Sequence, residues 1–182
     1  KLLYARIGKT YSPVSGEIVK KDSVTDVIDY VSGLEEGTKL LLLSPVHLTE
    51  DRDINTMVKI LRQQGFSRLK TESGITRIDE FDDSYKGPLY LVVDRIAVQR
   101  GEDFSNRLAD SVQAAFYEGK GECILEDVQT NSQHFFSNKF EKDGMSFLEP
   151  NIHFFSFNNP YGACSKCEGY GNTIGIDEDL VI

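Results

Sequence analysis

Two short apolar runs constrain this chain more than anything else in it. KLLLLSPV (39–46) is bounded by Gly37 and its own Pro45, and LYLVVDRIAV (89–98) is the second strongly apolar run. Neither is long enough to be a buried helix, so both read as strands, the first covered on both faces. Any fold must therefore be organised around an internal sheet. Helical periodicity falls between and beside these runs. Val24, Val27, Ile28 and Val31 share one face of a helix that Ser23 can cap, with Asp26 three residues on and Gly33 at its end. Ile54, Met57, Val58 and Leu61 form the inner stripe of a helix over about 51–64. Phe104, Leu108, Val112, Ala115 and Phe116 do the same for a long helix stopped by Gly119.

Shorter strands complete the pattern: residues 1–7, a hairpin over 66–79 turning near Ser73-Gly74, and residues 122–128. Without the first helix and the small hairpin partner, the order is strand, helix, strand, strand, helix, strand. That is the split βαβ pattern. The fold class expected is α+β, a small sheet with helices on one face, and a ferredoxin-like strand order is the arrangement this succession favours. After about residue 130 the chain turns aromatic and turn-rich, which predicts a separate, loop-dominated segment. The chain starts without Met in an apolar run and stops at DEDLVI, so it reads as an excised fragment of a larger protein.

Composition narrows the function. The formal net charge of −9 argues against this chain gripping duplex DNA by itself, because such binding depends on lysine and arginine neutralising phosphates. No apolar run reaches the roughly 18 residues of a membrane span. Three cysteines do not make a disulfide framework, which points to a reducing cytoplasm. Cys123, in GECILEDV, reads as a small buried hydrophobe. There is no G-x-x-x-x-G-K-[ST] phosphate loop, and the three histidines suggest no nucleophile–base pair, so the chain itself does not read as an enzyme.

Cys164 and Cys167 form a Cys-x-x-Cys pair among Gly162, Gly169 and Gly171, which is half of a zinc knuckle. No second pair exists. Two unligated thiols on a turn are the plainer reading. The alternative is a mixed metal site using His134, His153, Glu141, Asp143 or Glu149, and a redox role lacks the strand-to-helix context it needs. Two basic residues stand out. Arg68 alternates with Leu69 on a short strand and should face outward. Arg95 follows the buried run LYLVVD and should emerge at the end of its strand. Each is either a solvated charge or a recognition contact, since arginine's planar fork suits carboxylates.

The ordered series LLYARIG, SVTDVIDYV, EGTKLLLLSPV, LRQQGFSRLK, VVDRIAV, RLADSVQAAF, FSNKF, LEP, FSFNNPYGAC and C-x-x-C-x-G-x-G resembles the UvrA family, the damage-recognising ATPases of bacterial nucleotide excision repair. The resemblance runs nearly end to end. It implies that residues 1–10 lead out of the first ATP-binding half, 11–130 form the insert that binds UvrB, and 131–182 return through the family's zinc module. It also implies a parent that binds ATP and DNA and is a homodimer, with neither ATPase element in this segment and no cofactor of its own. By the same resemblance Arg68 and Arg95 match contacts to acidic residues of UvrB. The interval EKDGMSF (141–147) lacks the usual first cysteine pair, and YSPVSG carries serines where relatives have Cys or His. The expected module is therefore metal-free, with Phe147, Phe154, Phe155 and Phe157 packing in place of zinc. A role for the aromatic 135–161 segment in contacting nucleic acid is the alternative.

Overall fold

A computed structural model describes residues 1–47, 54–82, 85 and 87–172. At the start of the chain the expected strand is instead a short helix, α1 (Leu2–Ile7), with Ala5 N–H bonded to Lys1 O at 3.0 Å and Gly8 N–H to Tyr4 O at 2.9 Å. LLYARI contains good helix formers, and an apolar run this short has no periodicity to exclude either state. None of its residues is buried.

The chain divides into two compact units, one of residues 1–20 and 140–182 and the other of residues 21–139. The larger unit opens with α2 (Val24–Ser32), capped as the sequence predicts: Ser23 Oγ accepts from Asp26 N–H at 3.2 Å, and the Asp26 carboxylate accepts from Ser23 N–H at 2.8 Å. There follow β1 (Lys39–Pro45), α3 (Ile54–Gln63), β2 (Arg68–Thr71), β3 (Gly74–Arg77), β4 (Tyr90–Ala97), α4 (Glu102–Glu118), β5 (Glu122–Asp127) and β6 (Gln133–Ser137). The expected first turn of α3, over 51–53, lies outside the described residues.

The six strands form one sheet in the order β3-β2-β4-β1-β5-β6, and every neighbouring pair is antiparallel. α3 joins β1 to β2 with β4 lying between them, and α4 joins β4 to β5 with β1 lying between them. These are two interleaved split βαβ units, the ferredoxin-like arrangement. The hairpin partner β3 extends one edge and β6 the other. β6 is a correction to the expected break near residue 130, since QHFFS pairs with β5 and sends Phe136 into the core.

All three helices of this unit pack on one face. Leu40, Leu42, Ile96, Val98, Cys123, Leu125 and Phe136 meet Val27 and Val31 of α2 and Leu108, Val112, Ala115 and Phe116 of α4. Leu69 and Leu91 meet Ile54, Val58 and Leu61 of α3. Ser44, on the same face, donates to Ala115 O at 2.7 Å and ties β1 to α4. Cys123 is buried as expected, and burial first, then the nearby Asp22 charge, pushes its thiol up to about 12.

In the smaller unit, β7 (Glu141–Lys142) and β8 (Met145–Ser146) form a hairpin through Asp143-Gly144, whose φ values of 52° and 75° are both left-handed. This is the primed-turn chemistry of an Asp-Gly pair. Among the described residues, no helix is long and apolar enough to cross a membrane.

Candidate interaction surface

The opposite face of the sheet carries no helix. The register assigns to it Arg68 and Lys70 from β2, Ile75 and Arg77 from β3, Tyr90, Val92, Arg95 and Ala97 from β4, Lys39, Leu41 and Leu43 from β1, and Glu122, Ile124 and Glu126 from β5. Leu41, Leu43, Val92 and Ile124 make a small second core there. Their cover is polar. Lys70 is bonded to the Glu126 carboxylate, whose other oxygen accepts from Gln133 Nε2 at 2.6 Å. Lys70 belongs to β2 and Glu126 to β5, so the β2–β3 hairpin reaches over this face.

Both expected site residues lie on it. Arg68 faces outward beside the fully buried Leu69, as alternation requires. Arg95 arrives there by a different route from the one expected. It is not at a strand end, since β4 continues to Ala97. A β-bulge does the work: Leu42 pairs with Asp94 and Leu43 with Val92, so Val93 is an extra residue on the helix side. Strict alternation from Leu91 and Val93 would turn Arg95 toward the helices. The extra residue instead turns Asp94 toward them, where Arg107 Nη2 holds it at 3.0 Å and Ser111 Oγ at 2.9 Å.

Sequence reasoning missed Arg77. The two-residue loop Glu72-Ser73 sets β3 against β2 so that Arg77 stands directly opposite Arg68 on the same face. The signal was present in SRLKTESGITR, because fixing the hairpin register fixes that pair.

The charge pattern distinguishes these three arginines from the other described arginines of the larger unit. Arg62 pairs with Asp79 at 2.9 Å, Arg107 with Asp94, and Arg100 donates to the carbonyls of Ser32 and Leu34. Among the described residues, Arg68, Arg77 and Arg95 have no hydrogen-bond or ion-pair partner for their guanidinium groups. The two strand carboxylates on their face are already engaged, Glu126 by Lys70 and Glu122 by Lys139 Nζ at 2.7 Å. A locally cationic surface thus stands on a chain of net charge −9. Beside Arg95 lies a cavity of about 400 Å³, lined by Lys39, Leu41, Ile75, Arg95, Ala97 and Val128.

The other candidate groups do not converge. His47 Nε2 lies 3.4 Å from Glu122 Oε2 without a hydrogen bond, His134 stacks on Tyr30 with ring centroids 4.2 Å apart, and His153 is beside Asn159. In the smaller unit Cys164 and Cys167 sit on a tight knuckle. Gly162 and Gly169 are required there, because a Cβ at Gly162 would meet Phe154 O at 2.4 Å and one at Gly169 would meet Phe157 O at 2.3 Å. Backbone N–H groups of Lys166 and Cys167 lower the Cys164 pKa. Among the described residues, no group of three or more His, Cys, Asp or Glu side chains could hold a metal ion, so those residues bring no further ligands to the pair, where a structural zinc takes four.

The segments that resemble a zinc module are joined by other means. Ser12 and Ser15 both donate to the Asp143 carboxylate, and Lys142 Nζ lies 2.5 Å from Glu17 Oε2. Phe154 and Phe155 pack edge to face at 5.2 Å, but Phe157 is exposed, so the expected aromatic packing is only partly realised.

Known proteins resemble this chain along its whole length. A family model described as the UvrA interaction domain matches residues 22–129. UvrABC system protein A of Methanothermobacter thermautotrophicus is 34% identical over 189 residues, and that of Rickettsia typhi is 34% identical over 199, each match covering 100% of this chain and 20% of the relative. The protein of the same name from Mesorhizobium japonicum is 34% identical over 206 residues, again covering 100% of this chain, and 21% of the relative. The chain therefore spans about a fifth of the length of the curated relatives it matches.

Proposed function

This chain belongs to the UvrA interaction domain family, and from that premise we propose that it is the module through which a UvrA-type excision-repair ATPase recruits UvrB to damaged DNA in the cytoplasm. The observation that carries the reading is the helix-free face, where Arg68 and Arg95 stand with no internal counter-ion. An arginine fork presented in this way suits a carboxylate on a partner, and each such charge-assisted pair is stronger than a neutral hydrogen bond. The chain's role is docking, not chemistry. ATP hydrolysis, DNA contact and dimerisation belong to the parent, which governs when UvrB is loaded and released. In this assignment residues 1–10 lead out of the ATP-binding half, the sheet unit is the docking domain, and the C-terminal segment returns to that half.

Titration calorimetry of the chain against UvrB tests the proposal, beside Arg68→Glu and Arg95→Glu variants with wild-type melting temperatures. Micromolar or tighter binding is expected, with each reversal weakening it at least tenfold, about 1.4 kcal/mol. A well-folded chain that does not bind UvrB, or charge reversals without effect, would overturn it.

A further inference from the structure

We propose that the cavity beside Arg95 is the anchoring point of the docking surface, and that it takes an apolar side chain of the partner flanked by carboxylates. The inference rests on the docking role and specifies the chemistry of the segment that docks. The cavity has an apolar interior, Leu41, Ala97 and Val128, and an apolar wall, Ile75, contributed by the β2–β3 hairpin. Its rim is cationic, formed by Arg95 and Lys39. Ile75 is 40% exposed, an isoleucine held partly in water where the hairpin register places it beside Lys70.

Farther along the hairpin, Arg77 stands opposite Arg68. Like charges directly across a strand pair are destabilising, and among the described residues no acid of the chain relieves this pair. An external carboxylate would. Arg77 is thereby a third docking arginine, and the surface reads as an apolar socket rimmed by Arg95 and Lys39 with the Arg68–Arg77 pair on the same face. An apolar side chain filling the socket would displace water from beside Arg95 and strengthen the arginine–carboxylate contact there. It would also leave part of the binding insensitive to salt, which exposed charge pairs alone do not provide.

The test is calorimetric titration of this chain with UvrB at several temperatures, using Ala97→Phe to fill the cavity, Ile75→Ser to remove its wall, and Arg77→Glu. Ala97 and Ile75 are both exposed, so folding is expected to survive, and melting curves check it. Ala97→Phe and Arg77→Glu should each weaken binding at least tenfold, and Ile75→Ser about fivefold. Ala97→Phe and Ile75→Ser should also make the heat-capacity change of binding less negative, which loss of charge contacts alone would not do. Wild-type affinity in all three variants, while Arg68→Glu and Arg95→Glu still weaken binding, would overturn the socket and leave the docking role standing. Charge reversals at Arg68 and Arg95 without effect would overturn both.

Discussion

Lys70→Met is the perturbation that most directly probes how the helix-free face is held. Glu126 is only 3% exposed, and its carboxylate is satisfied by Lys70 on one oxygen and by Gln133 on the other. Methionine keeps most of the length of the side chain and removes the amine, leaving a buried carboxylate with one neutral donor. Removing one partner of a dry ion pair costs roughly 3–5 kcal/mol. The Lys70 side chain is 19% exposed, so solvent screens part of the attraction, and about 2–3 kcal/mol is expected. With a urea m-value of about 1.5 kcal/mol/M, the midpoint falls by roughly 1.3–2 M. Glu126→Gln removes the charge and keeps an acceptor for Lys70, while the Gln133 amide must turn over so that its oxygen accepts from the new NH2; it should cost less than Lys70→Met, about 1 kcal/mol. The double variant Lys70→Met, Glu126→Leu removes both desolvation costs and should be close to wild type. Urea unfolding followed by circular dichroism measures all three. A cost below about 0.5 kcal/mol for Lys70→Met, or a double variant less stable than either single one, would refute an organising role for this pair.

Two further outcomes concern the smaller unit. The hydroxyls of Ser12, chiefly, and Ser15 hold the Asp143 carboxyl below the usual carboxylate range. A depressed folded-state pKa gives stability that is fully present above the unfolded value and is lost as pH falls through the folded one. The 141–146 hairpin should therefore persist at pH 5 and loosen below about pH 4. A side-chain NMR titration of Asp143 checks this, and an ordinary or raised value in the wild-type chain would count against the serine contacts. Thiol labelling should distinguish the cysteines: exposed Cys164, with its lowered pKa, reacts first, and buried Cys123 reacts only on unfolding. Labelling of Cys123 at a comparable rate in the folded chain would contradict its burial.

The elements legible in the sequence were those whose signal is local and long. α2 was readable from Ser23 to Gly33 because its cap and its apolar stripe agree, and α4 because five apolar positions repeat at helical spacing over most of its length. Short segments were less readable. LLYARI has too few residues to show a period, and it formed a helix where a strand was expected. QHFFS carries no alternating signal, its two phenylalanines being adjacent, so only its pairing with β5 shows it to be a strand, and the β7–β8 hairpin has no signal beyond the Asp143-Gly144 turn. Arg68 and Arg95 were legible as outward-facing residues, while the place of Arg77 on the same face needed the hairpin register.

What the sequence determined by itself is the set of parts: buried strands, amphipathic helices, an acidic chain with its arginines outside the core, and the order that makes split βαβ units possible. Helix caps, apolar periods and turn residues act between near neighbours, so they are written where they act. Tertiary structure alone decided that β4 lies between β2 and β1, and that Arg95 shares a face with Arg68. The second point depends on the single extra residue at Val93. Beyond the bulge, Ile96 and Val98 must face inward to join Leu40 and Leu42 against α2 and α4. Packing across the sheet, not alternation along the strand, therefore turned Arg95 outward.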